Sequence, residues 1–175
     1  MKIERLDHYG RGITHEDKKI IFVKDALPEE DVVIKVMHSK KKYEEAIVEE
    51  YCKTSPHRIV PKCPYYGMCG GCHLMHMNVS LQEEFKLKRV KDALKKNAGL
   101  KPEMKLIKNN QELFYRNKVT LKIENGKYGY YSEESHQFVP ISACLLADTA
   151  LNDSDKCAKR NFNKYKFVIR ALYRF

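Results

Sequence analysis

The chain has 175 residues, a formal net charge of +10, and a composition that is 43% hydrophobic and 10% aromatic, which excludes a disordered chain and allows one ordinary core or two small ones. No run approaches the roughly 20 apolar residues that cross a bilayer, and the charged opening from Met1 to Arg5 is unlike a secretory signal, so a cytoplasmic chain is expected. Lysine and arginine total 33 and recur along the whole length beside tyrosines and phenylalanines, which favours nucleic acid over a small acidic ligand as partner.

From the amino terminus, Lys2–Leu6, Ile20–Val23, Asp31–His38 and Tyr43–Tyr51 alternate in the manner of short, half-buried strands. The last two flank Ser39, Lys40, Lys41 and Lys42, a hairpin tip whose ammonium groups can neutralise phosphates without reading sequence. Gly10-Arg11-Gly12 reads as a turn and not as a dinucleotide fingerprint, since no helix follows it. Several strands in about fifty residues predict a small barrel of the oligonucleotide-binding kind over residues 1–55. The run from Arg5 to Gly12 (RLDHYGRG), Phe22-Val23, and Ala26 to Asp31 (ALPEED) resemble the TRAM domain, a barrel appended to RNA-modifying enzymes; the family's Pro-Gly-Glu is Pro28-Glu29-Glu30 here.

Ser55-Pro56-His57-Arg58 and Pro61 break regular structure and place a boundary near residues 52–62. Residues 56–78 then form a cysteine-rich segment in which Cys63, Cys69 and Cys72 follow a C-x5-C-x2-C spacing. Gly70 and Gly71 allow a tight turn, and three thiolates from one loop point to a metal centre whose fourth ligand lies elsewhere. In a reducing compartment metal is a better use of these cysteines than disulfides. Spacing leaves two metals open: zinc, which usually takes two C-x2-C knuckles, and an iron–sulfur cluster. Together with Ser55 to Arg58 and His76, the segment is similar to the part of the TRAM-bearing uracil-5 RNA methyltransferases that carries three ligands of a 4Fe-4S cluster. The glutamine common after the last cysteine of that run is His73 here.

Residues 79–175 predict a central α+β unit. Ser80 with Glu83 reads as a capping box, Leu81, Phe85, Val90 and Leu94 as the apolar face of a helix, and Gly99 as its stop. Lys86, Lys88, Arg89, Lys91, Lys95 and Lys96 cover the rest, for the most part an ordinary solvated face. Tyr115–Glu124 alternates, Asn125-Gly126 supplies a hairpin turn into Lys127–Tyr131, and Phe138–Pro140 is a third strand. Tyr115-Arg116-Asn117-Lys118 resembles the family's Tyr-Arg-Asn-Lys motif, which implies RNA contact by Arg116, Asn117 and Lys118; pairing of Arg116 with a local carboxylate is the alternative.

The resemblance also implies Cys144 as fourth cluster ligand, since the family's last cysteine follows a similar hairpin; Cys52 and Cys157 are its rivals. The final stretch, Lys166 to Phe175 with Arg170, is an apolar and basic strand similar to the family's Ile-Arg-His-Leu-x-x-Arg strand and is a further expected RNA contact. In the family a methyltransferase domain follows that strand. The eight glycines form no phosphate or adenosine cradle, and no cysteine stands in the family's setting for the nucleophile that adds to uracil C6.

The expectation is therefore the amino-terminal portion of a TRAM-domain, iron–sulfur-containing 23S rRNA (uracil-5-)-methyltransferase, without its catalytic domain and inactive alone. It would be monomeric, with 23S ribosomal RNA as partner and S-adenosylmethionine bound by the full-length enzyme outside this chain. The cluster would be structural, all its positions being ligated. The rival readings are a zinc-stabilised RNA-binding adaptor and an iron–sulfur electron carrier.

Overall fold

A computed structural model describes residues 1–108, 111–133 and 135–153, and the backbone of 164–170. The described chain is mixed α and β, mostly strand, and falls into two compact units. The first comprises residues 1–60 and 73–107, the second 61–72 and the described residues from 108 onward. This partition differs from the expected 1–55, 56–78 and 79–175. The long helix groups with the first unit, and the cysteine loop groups with the later strands.

The first unit holds β1 (Arg5–Leu6), β2 (Gly12–Glu16), β3 (Lys19–Lys24), β4 (Asp31–Ser39), β5 (Tyr43–Lys53) and α1 (Val79–Ala98). The sheet order is β1-β2-β3-β5-β4, with β3 and β5 parallel and the other pairs antiparallel. The expected barrel is thus not one closed ladder. Its two edges are linked by a single antiparallel bridge, Lys2 to Asp31, with Ile3 N–H donating to the Glu30 carbonyl at 2.9 Å and Val32 N–H to that of Met1 at 2.9 Å. Ile3, Ile21, Val23, Ala26, Val32 and Ala46 fill the concave side. Gly12 is fixed by this packing, because a Cβ there would stand 2.8 Å from Ile3 Cγ2 and 2.9 Å from Ala26 Cβ.

Strand β2 lies where a turn was expected, because the chain reverses only after it, at Asp17 and Lys18 with φ of 45° and 68°. These are the angles of a type I′ hairpin turn, built here without glycine. Helix α1 starts two residues before the expected cap: Asn78, not Ser80, is the N-cap, and its side-chain oxygen accepts from Leu81 N–H at 2.9 Å. Gly99 closes the helix at φ 67°, as expected. Leu81 packs with Leu27 and Met77 beneath Leu6 and Leu74. Among the described residues no helix is long and apolar enough to cross a membrane.

One buried ion pair ties this unit together. Glu30, fully buried, accepts from Leu27 N–H at 2.8 Å, from Ser55 N–H at 3.1 Å and from Arg58 Nη2 at 2.8 Å. Arg58 in turn stacks on Tyr51, 4.4 Å from its ring centroid. Burial alone would raise the Glu30 carboxyl, but the hydrogen bonds from Arg58, Leu27 and Ser55 outweigh it and hold the pKa below the ordinary carboxylate range. Close by, burial pushes His76 down to about 4, with the charge of Arg58 adding to the effect against the opposing pull of Asp25.

The second unit has β6 (Lys118–Glu124), β7 (Lys127–Tyr131), β8 (Phe138–Pro140), α2 (Thr149–Asp153) and β9 (Lys164–Arg170), in sheet order β8-β7-β6-β9. The β6–β7 turn is Asn125-Gly126, at φ 49° and 70°, as the sequence implied. Val119, Leu121, Ala147 and Leu151 form the core, with Tyr128, Tyr130, Ile141 and Cys144 against it. Gly129 admits the close approach of β8, since a Cβ there would meet Val139 O at 2.1 Å. The expected last strand is realised over Lys164–Arg170; its remainder, 171–175, lies outside the described residues, as does Cys157.

Both titrations predict loss of stability in acid. Each folded pKa is depressed, so the stabilisation is present above the unfolded value and disappears as pH falls through the folded one. His76 should contribute between its ordinary 6.5 and about 4, and Glu30 below its ordinary 4.5. Melting temperatures at pH 7, 5.5 and 4 should fall in the parent, and His76→Gln should flatten the segment between 6.5 and 4; a flat parent profile contradicts the assignment. Arg58→Ala should cost roughly 3–5 kcal/mol, as expected when a buried carboxylate loses its partner.

Candidate functional site

Cys63, Cys69, Cys72 and Cys144 are all free, half-buried and members of the second unit. Cys69 and Cys72 each feel the charge of Cys144 and Cys63, so the loop and the segment after β8 bring all four thiols into one neighbourhood. Cys52 is exposed and belongs to the first unit. His73 and His76 likewise lie outside the cysteine unit.

The loop is shaped by turns before any metal is invoked. Cys69 N–H donates to Tyr65 O at 2.8 Å and Tyr66 N–H to Cys63 O at 3.2 Å, while Gly67 takes φ 82°. Gly70 N–H then donates to Tyr131 O at 3.2 Å, which pins the knuckle to the end of β7. A Cβ on Gly70 would stand 2.8 Å from that carbonyl, so glycine is needed here to let the loop lie against a strand. At Gly71 a Cβ would meet only Cys69 Sγ, at an ordinary contact distance of 3.4 Å, so the close approach expected of both glycines is seen at Gly70.

Cys144 is held by different means. Its N–H donates to Asn152 Oδ1 at 2.9 Å, and Asn152 Nδ2 donates back to Cys144 O at 3.1 Å and to Ala147 O at 3.2 Å. The Tyr65 hydroxyl reaches Ser142 Oγ at 2.9 Å and accepts from Ser142 N–H at 3.0 Å, binding the loop to the residues just before Cys144. Tyr65 and Asn152 were not singled out from sequence. A tyrosine two residues after a cysteine and an asparagine eight residues after one carry no spacing signal of their own.

Burial and mutual proximity set the electrostatics of these thiols. Burial pushes the Cys72 thiol up to about 11, and the neighbouring thiolates add to this while Arg116 opposes it. Burial also raises Cys69, against a hydrogen bond from the backbone of Gly71. Tyr130 is raised by burial and by the charge of Cys144, with which its hydroxyl forms a hydrogen bond. Among the described residues, no group of three or more Cys, His, Asp or Glu side chains converges as a single metal ion requires. The four thiols are neighbours without being packed round one point. Tetrahedral zinc would draw its sulfurs to within about 4 Å of each other.

The basic residues singled out from sequence divide between the units. Lys40, Lys41 and Lys42 are exposed at the β4–β5 tip, where Lys40 N–H donates to Tyr43 O at 2.9 Å. Arg116, Asn117 and Lys118 are exposed at the entry to β6. No ion pair with a carboxylate is present for Arg116 among the described residues; its titratable neighbours are Tyr115, Cys72 and Cys144. Arg170 is the register partner of Lys118 in the β6–β9 ladder, so these two positions share one end of the sheet.

No family model matches the chain. Individual relatives do, and they are RNA methyltransferases. An uncharacterized RNA methyltransferase of Halalkalibacterium halodurans is 34% identical over 168 residues, 91% of this chain and 36% of the relative. An uncharacterized RNA methyltransferase of Aquifex aeolicus is 34% identical over 87% of this chain. A 23S rRNA (uracil(1939)-C(5))-methyltransferase RlmD of Shewanella is also 34% identical over 87% of this chain and 36% of its own length. The chain belongs to this RNA methyltransferase family and spans about a third of the length of the relatives it matches. The solved tRNA (uracil-54, C5)-methyltransferase of Pyrococcus abyssi, in complex with S-adenosyl-L-homocysteine, shares its fold at TM-score 0.62 and 23% identity, over 89% of this chain and 34% of that one.

In metal-free protein the raised thiols should be sluggish nucleophiles. Alkylation of Cys72 by iodoacetamide, followed by peptide mass spectrometry, should accelerate with pH up to about 11. Arg116→Ala should slow it further at any given pH. A Cys72 rate that levels off below pH 9 contradicts the burial argument.

Proposed function

We propose that this chain is the RNA-holding, cluster-bearing part of an S-adenosylmethionine-dependent RNA uracil-C5 methyltransferase acting on 23S ribosomal RNA. The observation that carries the reading is the thiol quartet: four free cysteines of one unit, drawn from a loop and from a distant segment, sharing one electrostatic neighbourhood. An all-sulfur set of four is the ligand set that a 4Fe-4S cluster takes. Cys63, Cys69, Cys72 and Cys144 would hold the cluster.

When bound, the cluster supplies four metal–sulfur bonds and a structural clamp. Everything else at the site is done by the chain. Tyr65 and Asn152 fix the two segments that carry the thiols, and Tyr130 places a hydroxyl on Cys144. Arg116 sets a positive charge beside Cys72, which favours its deprotonated form.

For the RNA, the net charge of +10 and two exposed basic groups, Lys40 to Lys42 and Arg116 to Lys118, support phosphate contacts that position without reading sequence, and Arg170 is the register partner of Lys118. The relatives' names support a 23S ribosomal RNA substrate and uracil C5 as the site of methylation. S-adenosylmethionine is the methyl donor this reading requires, and none of the residues described above is assigned to hold it.

An electrophoretic titration of the chain against an unmodified 23S rRNA transcript is the test. Binding should weaken steeply with salt, and Arg116→Ala with Lys118→Ala should weaken it across all sequences and lower the salt slope by about one per lost phosphate contact. Labelled methyl groups from S-adenosylmethionine should not appear in the RNA when the chain acts alone. Salt-independent binding, or methyl transfer by the isolated chain, contradicts the proposal.

A further inference from the structure

Two of the four sulfurs have a hydrogen-bond donor supplied by the chain, and the two donors differ in kind. Cys69 meets the backbone N–H of Gly71, whereas Cys144 meets a side chain, the hydroxyl of Tyr130. Tyr130 lies on β7 as the register partner of Val139. It is half-buried and packs, as Cys144 does, against the core of Val119, Leu121, Ala147 and Leu151. Its neighbours along the strand fix the backbone on either side. Gly129 lies under the Val139 carbonyl, and Tyr131 O accepts from Gly70 N–H at 3.2 Å.

The amide of Cys144 is already engaged, donating to Asn152 Oδ1 at 2.9 Å, so the phenol does for this sulfur what a backbone N–H does for Cys69. Burial first, and then the charge of Cys144, keep the phenol protonated. A cysteine bound to iron has lost its proton. The bond can then run only one way, from the Tyr130 O–H to Cys144 Sγ, and it is charge-assisted.

We infer that Tyr130 is a positioning residue whose O–H, directed at Cys144 Sγ, raises the reduction potential of the cluster. The inference rests on the cluster reading proposed above and adds a residue that tunes it. Reduction adds one electron to a group that four thiolates already make anionic, and the sulfurs carry part of the added charge. A donor aimed at one of them therefore stabilises the reduced form more than the oxidised form. Arg116, beside Cys72, acts in the same sense by charge, without a directed bond to sulfur. A cluster that holds its electrons more tightly is less readily oxidised, which suits a structural clamp.

Voltammetry of the protein isolated without air tests it, the electron coming from the electrode and no bond breaking. Tyr130→Phe keeps the ring that packs and removes only the donor. It should retain the iron and sulfide of the parent, while its reduction equilibrium shifts about tenfold toward the oxidised form, the weight of one hydrogen bond and a fall of about 59 mV for a one-electron couple. Installing 3-fluorotyrosine at position 130, a more acidic phenol of nearly the same shape, should instead raise the potential above that of the parent, a shift that packing alone would not produce. An unchanged potential in Tyr130→Phe, or one that fails to rise with 3-fluorotyrosine, overturns the tuning role and leaves the cluster standing. Loss of the cluster from Tyr130→Phe also overturns it, since the hydroxyl would then retain the cluster and not set its potential. A parent chain that carries no cluster overturns both readings.

Discussion

Ionising a half-buried thiol beside three others is costly, and Cys72 carries that cost: burial raises it to about 11, and the charges of Cys144, Cys69 and Cys63 act in the same direction. The polypeptide offers one partial answer in Arg116, close enough to Cys72 to favour its charged form. Around this centre the neutral scaffold is specific: Gly70 against the Tyr131 carbonyl, Tyr65 on Ser142, Asn152 on both sides of the Cys144 peptide. Each of these contacts involves backbone, so each sets where a thiol can be, whatever species occupies the space between them.

The same local device appears once in each unit. Met77 and Ala147 are bridge residues, Asn78 and Asp148 follow at the helix start, and Leu81 and Leu151 are buried one turn in. The next residue's amide, Gln82 or Asn152, donates to the carbonyl of the bridge residue. In this comparison Cys144 occupies the place of Leu74, since Met77 N–H bonds to Leu74 O and Ala147 N–H to Cys144 O. One copy therefore serves packing. The other, in the reading proposed here, serves a ligand. Because the turn is fixed by its own hydrogen bonds, exchanging leucine for cysteine at that position does not depend on a new backbone.

Much of this was legible in the sequence, for identifiable reasons. Alternation with Asn125-Gly126 located the β6–β7 hairpin, and an apolar face ending in Gly99 located α1. The features that escaped lacked a local signature. Strand β2 follows a Gly-Arg-Gly turn and ends in Asp17-Lys18, a left-handed turn without glycine. The cap of α1 is Asn78 because the bridge at Met77 fixes where the helix can begin, a tertiary fact that outweighs the Ser80 and Glu83 pattern. Helix α2 is too short to show a period. Glu30 entered the sequence reading only within the Ala26–Asp31 run, and its burial and its ion pair depend on Arg58 and Ser55, far along the chain. Spacing singled out Cys63, Cys69 and Cys72, whereas Cys144 came from resemblance.

The central claim is that the quartet embraces one polynuclear cluster and not a single ion or nothing. Native mass spectrometry of the protein isolated without air tests it most directly, since the mass of the bound group is read without assuming its identity. The account predicts an increment of four iron and four sulfide, lost when Cys144 becomes serine and kept when Cys52 does. A stoichiometric zinc increment, or a cluster that survives the loss of Cys144, would contradict it.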